Sequence, residues 1–329
     1  MSILKSLNTC NVWSTTTQQE DETQWLKDRT KGIGGSDIGA ICGVSLYSSP
    51  RQVYLSKVGM YEDSFAPAAI ERMRFGNLLE PIVANEYSKR TGDKVCTCPA
   101  TLVHSAYPFA IANVDRFILD EAGLPIGVLE CKTTGAFNKD AWEDADIPIS
   151  YLYQLQWYLF VTGLKEGAIA CLVGGNTFYH YKVPRNDELI NNVMLPAAAN
   201  FWYNHVAALK EPPLSSVDKE FVNEKYAEVQ KSKEIFFTDE TLDGLAATII
   251  DCKRVIKETE DTMEQAQNRL KEQLKDNEIG YTKNYIIKWS PRRQTRVNTD
   301  VLKERFPDVY LQCQKIIEFR VMTVKGGPQ

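Results

Sequence analysis

Residues 126–137 read IGVLECKTTGAF. Val128 and Leu129 open the stretch as a buried strand, since strands favour β-branched and other apolar residues. Glu130 and Lys132 follow two residues apart. Side chains repeat every two residues along a strand, so both point to the same face. An unpaired buried charge is costly. A strand that starts as core and then sets a carboxylate beside an ammonium needs a reason for that pair.

The residues upstream suggest one. FAIANVDRFILD, residues 109–120, reads as a further strand, and Asp120-Glu121-Ala122-Gly123 reads as a turn. The pattern predicts an antiparallel hairpin, with Asp115 on the neighbouring strand beside Glu130. Two carboxylates that close repel unless a cation lies between them. Mg2+, held by one or two carboxylates and a substrate phosphate, meets that need. Lys132 can then hold or deprotonate an attacking water, or neutralise charge on a phosphate. The Cys131 carbonyl is a further oxygen ligand. Glu-x-Lys alone reads as an ion pair on a partly exposed strand; Asp115 across a short turn is what makes a site an equal reading.

Helical periods surround these strands. A short helix ends at Arg29, and KGIGGSDIGAICGVS follows, in which Ser36 or Asp37 can cap a helix over 38–42. Ser49-Pro50 starts another helix. Residues 68–90 form a long one, which Pro81 should kink or break near Glu80. KVCTCPATLVHS reads as a strand, YLYQLQWYLFVTG as a buried helix, EGAIACLVGG and TFYHYKVP as two strands, and residues 186–210 as a closing helix. The fold class expected is α/β: a three-layer-like sandwich with a central mixed β-sheet flanked by helices.

Composition excludes several classes. Hydrophobic residues make up 43% and charged residues 25% of the 329 residues, the balance of an ordinary soluble globular chain. The net charge of −5 does not advertise nucleic acid, so any basic footprint is local. No apolar run suits a membrane span, and the first residues lack a signal-peptide pattern. The 8 cysteines have only one close pair, Cys96 and Cys98, which is not zinc spacing; they read as reduced thiols. His104, His180 and His205 show no ligand spacing.

Residues 1–20 read as a flexible N-terminus and 21–210 as one domain, with KEPPLSSVD, 210–218, as the boundary. In the extension, 219–329, a heptad seam runs from Leu242 to Leu270. Residues 218–236 are expected to fold back on it as a helical hairpin, followed by a small α+β piece with strands at YIIKWSP and IIEFRVMTV. Arg292, Arg293 and Arg296 form a local basic cluster that suits phosphate contacts or merely a solvated loop.

Taken together, several motifs resemble the PD-(D/E)xK nuclease superfamily, which has a restriction-endonuclease-like core. The match is to its lambda exonuclease-like branch, which includes the YqaJ-type phage recombination nucleases. The motifs are Trp25 and Arg29, then GIGGSD with Ser36 and Asp37; Gly76, Asn77, Glu80 and Pro81; Asp115, then Glu130 and Lys132; and Tyr151, Gln154 and Gln156. The resemblance implies that Asp115 and Glu130 hold metal with the Cys131 carbonyl, and that Lys132 is the catalytic lysine. It implies that Glu80 is a helix carboxylate facing the metal and that Gln154 steadies the lysine. Arg29 and Ser36 would grip a 5′-terminal phosphate. The implied activity is Mg2+-dependent hydrolysis of linear double-stranded DNA, 5′→3′, with Mn2+ able to substitute. A single-strand annealing protein as partner, a ring-shaped trimer, and the cytoplasm of a bacterial host carrying the phage or prophage go with it. An endonuclease, or a non-catalytic DNA-binding or partner-docking protein on this fold, are the alternatives.

Overall fold

Helices come first along the chain. The computed structural model describes residues 3–16, 20–60, 67–98, 100–143, 146–228, 233–315, 317 and 319–326, the side chains of 67–69 excepted. After β1 (Cys10–Ser14) come α1 (Glu22–Thr30), α2 (Gly35–Ile41), α3 (Pro50–Lys57) and α4 (Pro67–Thr91). The period then changes to two, giving β2 (Lys94–Thr97), β3 (Thr101–His104), β4 (Ile111–Ala112), β5 (Arg116–Leu119) and β6 (Pro125–Thr134). Helix α5 (Ile149–Thr162) crosses to β7 (Glu166–Val173), and a tight turn leads into β8 (Thr177–Pro184). A closing helical stretch contains α6 (Asp187–Leu189) and α7 (Leu195–Phe201), with π-helical turns at Ile190–Met194 and Trp202–Val206.

The central sheet has the order β2-β5-β6-β7-β8. Only β6 and β7 run parallel, because the α5 crossover lies between them; the other neighbours are antiparallel. This is the mixed α/β sheet flanked by helices that the sequence predicts. The β5–β6 hairpin forms around the Asp120–Gly123 turn, with Gly123 at φ +79° and Arg116 opposite Leu129. Gly123 has the left-handed backbone that glycine adopts without a Cβ penalty.

Alternation along β6 decides which layer each residue meets. Leu129 and Cys131 join Val83, Ala84 and Tyr87 of α4 in one cluster. Val128 belongs to the other cluster, with Leu155 and Trp157 of α5. Glu130 and Lys132 therefore share the α5 face with Val128. Trp157 fixes α5 in place, as its indole N–H is shared between the carbonyls of Ile33 (3.0 Å) and Ile111 (3.1 Å).

Several expectations are corrected. The first residues are part of the fold: Leu4, Leu7 and Cys10 are buried, and β1 pairs with β3, which pairs with β4 in a second sheet. Only one side of this segment is apolar, so its sequence looks loose. The strand expected over 109–120 breaks between β4 and β5, which serve different sheets. KVCTCPATLVHS likewise divides into β2 and β3, with residue 99 outside the described residues. Helix α4 continues through Pro81 without ending. The expected boundary at 210–218 belongs to the first unit: the Asp218 carboxylate is buried and accepts from the Ser49 hydroxyl at 2.5 Å, and the Pro212 carbonyl accepts from Arg51 at 2.8 Å. Two compact units result, Met1–Val222 and Asn223–Gln329.

The later residues form little sheet. The helix expected over 218–236 shortens to α8 (Lys219–Lys225), residues 229–232 lie outside the described residues, and 233–239 lack regular structure, so no helical hairpin is present among the described residues. Helix α9 (Glu240–Leu274) carries the seam. A small hairpin follows, β9 (Ile279–Tyr281) with β10 (Ile286–Lys288), then α10 (Thr299–Arg305) and α11 (Pro307–Gln312). β9 was not expected. The strand expected over 316–324 is absent among the described residues there. No helix among the described residues is long and apolar enough to cross a membrane.

Removing residues 1–14 should destabilise the first unit by about 4 kcal/mol, the scale of burying Leu4, Leu7 and Cys10. Urea unfolding of the full and shortened chains measures this. A difference below about 1 kcal/mol would mean that β1 is not an integral strand.

Candidate active site

Glu130 is 1% exposed in the middle of β6. Its Oε1 takes the Lys132 ammonium at 2.6 Å and the Gln154 amide nitrogen at 2.6 Å. The Gln154 carbonyl oxygen accepts from the same ammonium at 3.0 Å. The three side chains close a triangle, and the charges around it fix the amide orientation: oxygen toward the cation, nitrogen toward the anion. The amide nitrogen also donates to the Tyr158 hydroxyl at 3.0 Å. Lys132 Nζ lies 4.7 Å from the centre of the Tyr151 ring. The second oxygen of Glu130, Oε2, is buried without a hydrogen-bond partner.

Asp115 lies one step beyond the Arg116–Leu129 pair, so the register sets it opposite Glu130. Its Oδ2 accepts from the Cys131 N–H at 2.8 Å. As a residue Asp115 is only half-buried, but protein packs densely around its carboxyl. Burial raises its pKa well above the usual carboxylate range, and the charges of Glu130 and Glu80 add to that. Burial likewise raises Glu130, against the lowering influence of Lys132. For Lys132, burial opposes the charged form, yet Glu130 and Asp115 together outweigh it and hold the ammonium above its ordinary range. The centre therefore has two carboxylates that resist ionising together, and one firmly charged lysine.

Glu80, on α4, does not join this triangle. Its carboxylate accepts from Arg116 Nη1, and the same nitrogen donates to the Asp115 carbonyl. The Arg116 side chain points to the α4 side because it alternates with Phe117. Among the described residues, no group of three or more His, Cys, Asp and Glu side chains is gathered as a metal cage. The side chains nearest to that role are those of Asp115 and Glu130.

Arg29 and Ser36 do meet. Arg29 Nη2 donates to Ser36 Oγ at 2.7 Å, and its guanidinium lies 4.6 Å from the centre of the Trp25 ring. The cap of α2 is Gly34 rather than Ser36 or Asp37; the Asp37 carboxylate accepts from the Gly34 N–H at 2.8 Å. Lys57 then joins the two ends of the turn, donating to Asp37 at 2.6 Å and to the Arg29 carbonyl at 2.9 Å. Gly35 brings this turn against α5. A Cβ there would lie 2.5 Å from Tyr158 Cε1 and 2.9 Å from Gln154 Cγ. The Arg29–Ser36 corner and the Glu130 triangle thus share the Gln154–Tyr158 edge of α5.

Two residues around the site were not read from the sequence: Lys57 and Arg116. Arg116 sits next to Asp115, which was the available signal. Gln156, part of the same motif, is structural. It bonds the Pro184 carbonyl and the Asn186 N–H at 2.8 and 2.7 Å.

Residues 24–165 match the YqaJ-like viral recombinase domain, a span that contains every candidate residue from Arg29 to Gln154. YqaJ, an uncharacterized protein of Bacillus subtilis (strain 168), is 38% identical over 306 residues, covering 92% of this chain and 93% of its own. Among solved structures, an alkaline exonuclease from Laribacter hongkongensis is similar with a TM-score of 0.45 at 15% identity, over 62% of this chain and 98% of that one. A phage related exonuclease from Haemophilus somnus 129PT gives 0.41 at 13% identity, over 54% and 96%.

Gly35→Ala should push Tyr158 and Gln154 out of place and cost about 1–3 kcal/mol, as other overpacking changes do. Thermal unfolding of the variant checks this. Wild-type stability in Gly35→Ala would show that α2 and α5 are not in close contact there.

Proposed function

The chain is a member of the YqaJ-like viral recombinase family, and on that premise we propose that it is a metal-dependent DNA nuclease. The reading is a 5′→3′ exonuclease acting on the ends of linear double-stranded DNA in phage-type recombination. The single observation that carries it is the buried pairing of Glu130 with Lys132 and Gln154, which leaves Glu130 Oε2 without a hydrogen-bond partner among the described residues. A merely structural ion pair would satisfy both oxygens.

The residues fit a divalent cation. Asp115 and Glu130 are held above the usual carboxylate range by burial first, with neighbouring carboxylate charge adding to it; a cation between them would relieve both the repulsion and the orphaned oxygen. In an extended strand a residue's N–H and C=O point to the same side, so the Cys131 carbonyl looks toward Asp115 as its N–H does. Asp115, Glu130 and that carbonyl would hold Mg2+ or Mn2+, with substrate phosphate completing the shell. When bound, the ion polarises a scissile phosphate and lowers the pKa of a bound water. Lys132, kept charged by Glu130 and aimed by Gln154, stabilises the negative charge that develops on the phosphate. Glu80 is engaged by Arg116, and we assign it the part of a neighbouring charge that tunes Asp115 and Glu130.

Arg29 and Ser36 would receive the terminal 5′ phosphate, since Arg makes strong charge-assisted contacts to phosphate. The shared edge of α5 would then set the distance from the end of the strand to the bond that is cut. One chain supplies Asp115, Glu130, Lys132 and Gln154, so the chemistry needs no second subunit. An annealing protein would take up the exposed strand in a later step. The setting would be the cytoplasm of a bacterial host.

The test is digestion of end-labelled linear duplex, with and without a 5′ phosphate, beside a covalently closed circle. Wild type plus Mg2+ should shorten the linear DNA, prefer phosphorylated ends and spare the circle. Lys132→Ala and the near-isosteric Glu130→Gln should each lower the rate by about 10²–10⁴-fold. Arg29→Ala should slow phosphorylated ends by about tenfold and hydroxyl ends little. Lys132→Ala at the wild-type rate would end this reading, and rapid cutting of circles would make the enzyme an endonuclease.

A further inference from the structure

Helix α9 carries an apolar seam that is exposed among the described residues. Leu245 is 61% exposed, Ile256 and Met263 are each 56% exposed, and Leu270 is 42% exposed. They lie on one stripe that recurs in alternating steps of three and four residues. A stripe of that period marks a helix that packs against another helix. Helices α8, α10 and α11, of 7, 7 and 6 residues, are too short to cover the 35 residues of α9.

We propose that α9 pairs with α9 of a second copy of this chain, antiparallel and in one register. The stripe alternates in size. Ile249, Ile256 and Met263 are bulky, while Cys252, Thr259 and Ala266, which fall between or beside them, are small. Two parallel copies in register would set small on small and large on large, which leaves gaps. An antiparallel pair with its two-fold axis between Lys257 and Glu258 sets Ile249 on Ala266, Cys252 on Met263 and Ile256 on Thr259. Each of these three layers then joins one large and one small side chain, and Leu245 meets Leu270 at the outer layer.

Charge selects the same register. Lys253 and Glu260 flank the stripe and are exposed. In this arrangement Lys253 of each copy faces Glu260 of the other, so the attraction occurs twice. Sliding by one heptad either way sets Lys253 against Lys253, or Glu260 against Glu260. Turned parallel, the same two residues face Thr248 and Val255, with no charge pair. Flanking charges of this kind set partner and orientation in helix pairs. The dimer concerns residues beyond the 24–165 span of the recombinase domain, so it stands or falls apart from the nuclease reading.

Sedimentation equilibrium of the full chain should show a reversible dimer. Lys253→Glu and Glu260→Lys should each weaken it about tenfold at low salt, while K253E/E260K together should restore it. In a C313S background, which removes the exposed Cys313, M263C should form a disulfide-linked dimer through Cys252 of the other copy. Cys252 alone should not link. A monomer at every concentration, a dimer indifferent to both charge reversals, or linkage through Cys252 alone would each overturn the proposal.

Discussion

The site depends on how one buried carboxylate is held. Glu130 lies under the sheet surface with Lys132 and Gln154 on the same oxygen. Such a pair is poor value for stability alone, because desolvating two charges offsets most of their attraction. Removing either partner, however, strands the other in a medium that penalises charge. The pair therefore fixes the rotamers of all three side chains. It also leaves the second oxygen of Glu130 without a hydrogen-bond partner among the described residues. A centre built this way has its geometry set before a substrate arrives, which is what electrostatic stabilisation of a transition state requires.

Helix α5 is the element that makes this arrangement possible. On successive turns it presents Gln154 to the ion pair, Trp157 to the carbonyls of Ile33 and Ile111, and Tyr158 to Gln154. The Trp157 bonds hold the loop before α2, and that loop sets Gly35 against Tyr158. Arg29 and Ser36 are thereby fixed relative to the Glu130–Lys132–Gln154 triangle through few contacts. Arg116 adds a second brace, tying the Asp115 backbone to Glu80 on α4. Both helical layers thus reach the two strands that carry the carboxylates.

Much of this was legible in the sequence, and the reasons differ by residue. The period-two pattern and the Asp120–Gly123 turn placed Asp115 beside Glu130 without help, because a tight hairpin fixes register. Gln154 and the Arg29–Ser36 corner came only from resemblance to a nuclease family, since nothing local says which helix lies over β6. The N-terminal strand was missed because it buries one side only, and β4 was fused with β5 because a change of sheet leaves no mark in periodicity. Gly35 carries a constraint that no spacing rule reveals: it is glycine because a tyrosine from residue 158 occupies the space. In the second unit the helical period holds through α9, while the described residues 233–239 before it lack regular structure and supply no covering helix.

The central claim is that Asp115 and Glu130 together hold a divalent cation. Titration calorimetry with Mn2+ on the full chain and on Glu130→Gln tests it without reference to any reaction. The account predicts one site in the wild type that is lost, or weakened by about tenfold or more, in the variant, with both proteins equally folded. Equal binding by the two proteins, or none by the wild type in the presence of duplex DNA, would contradict it.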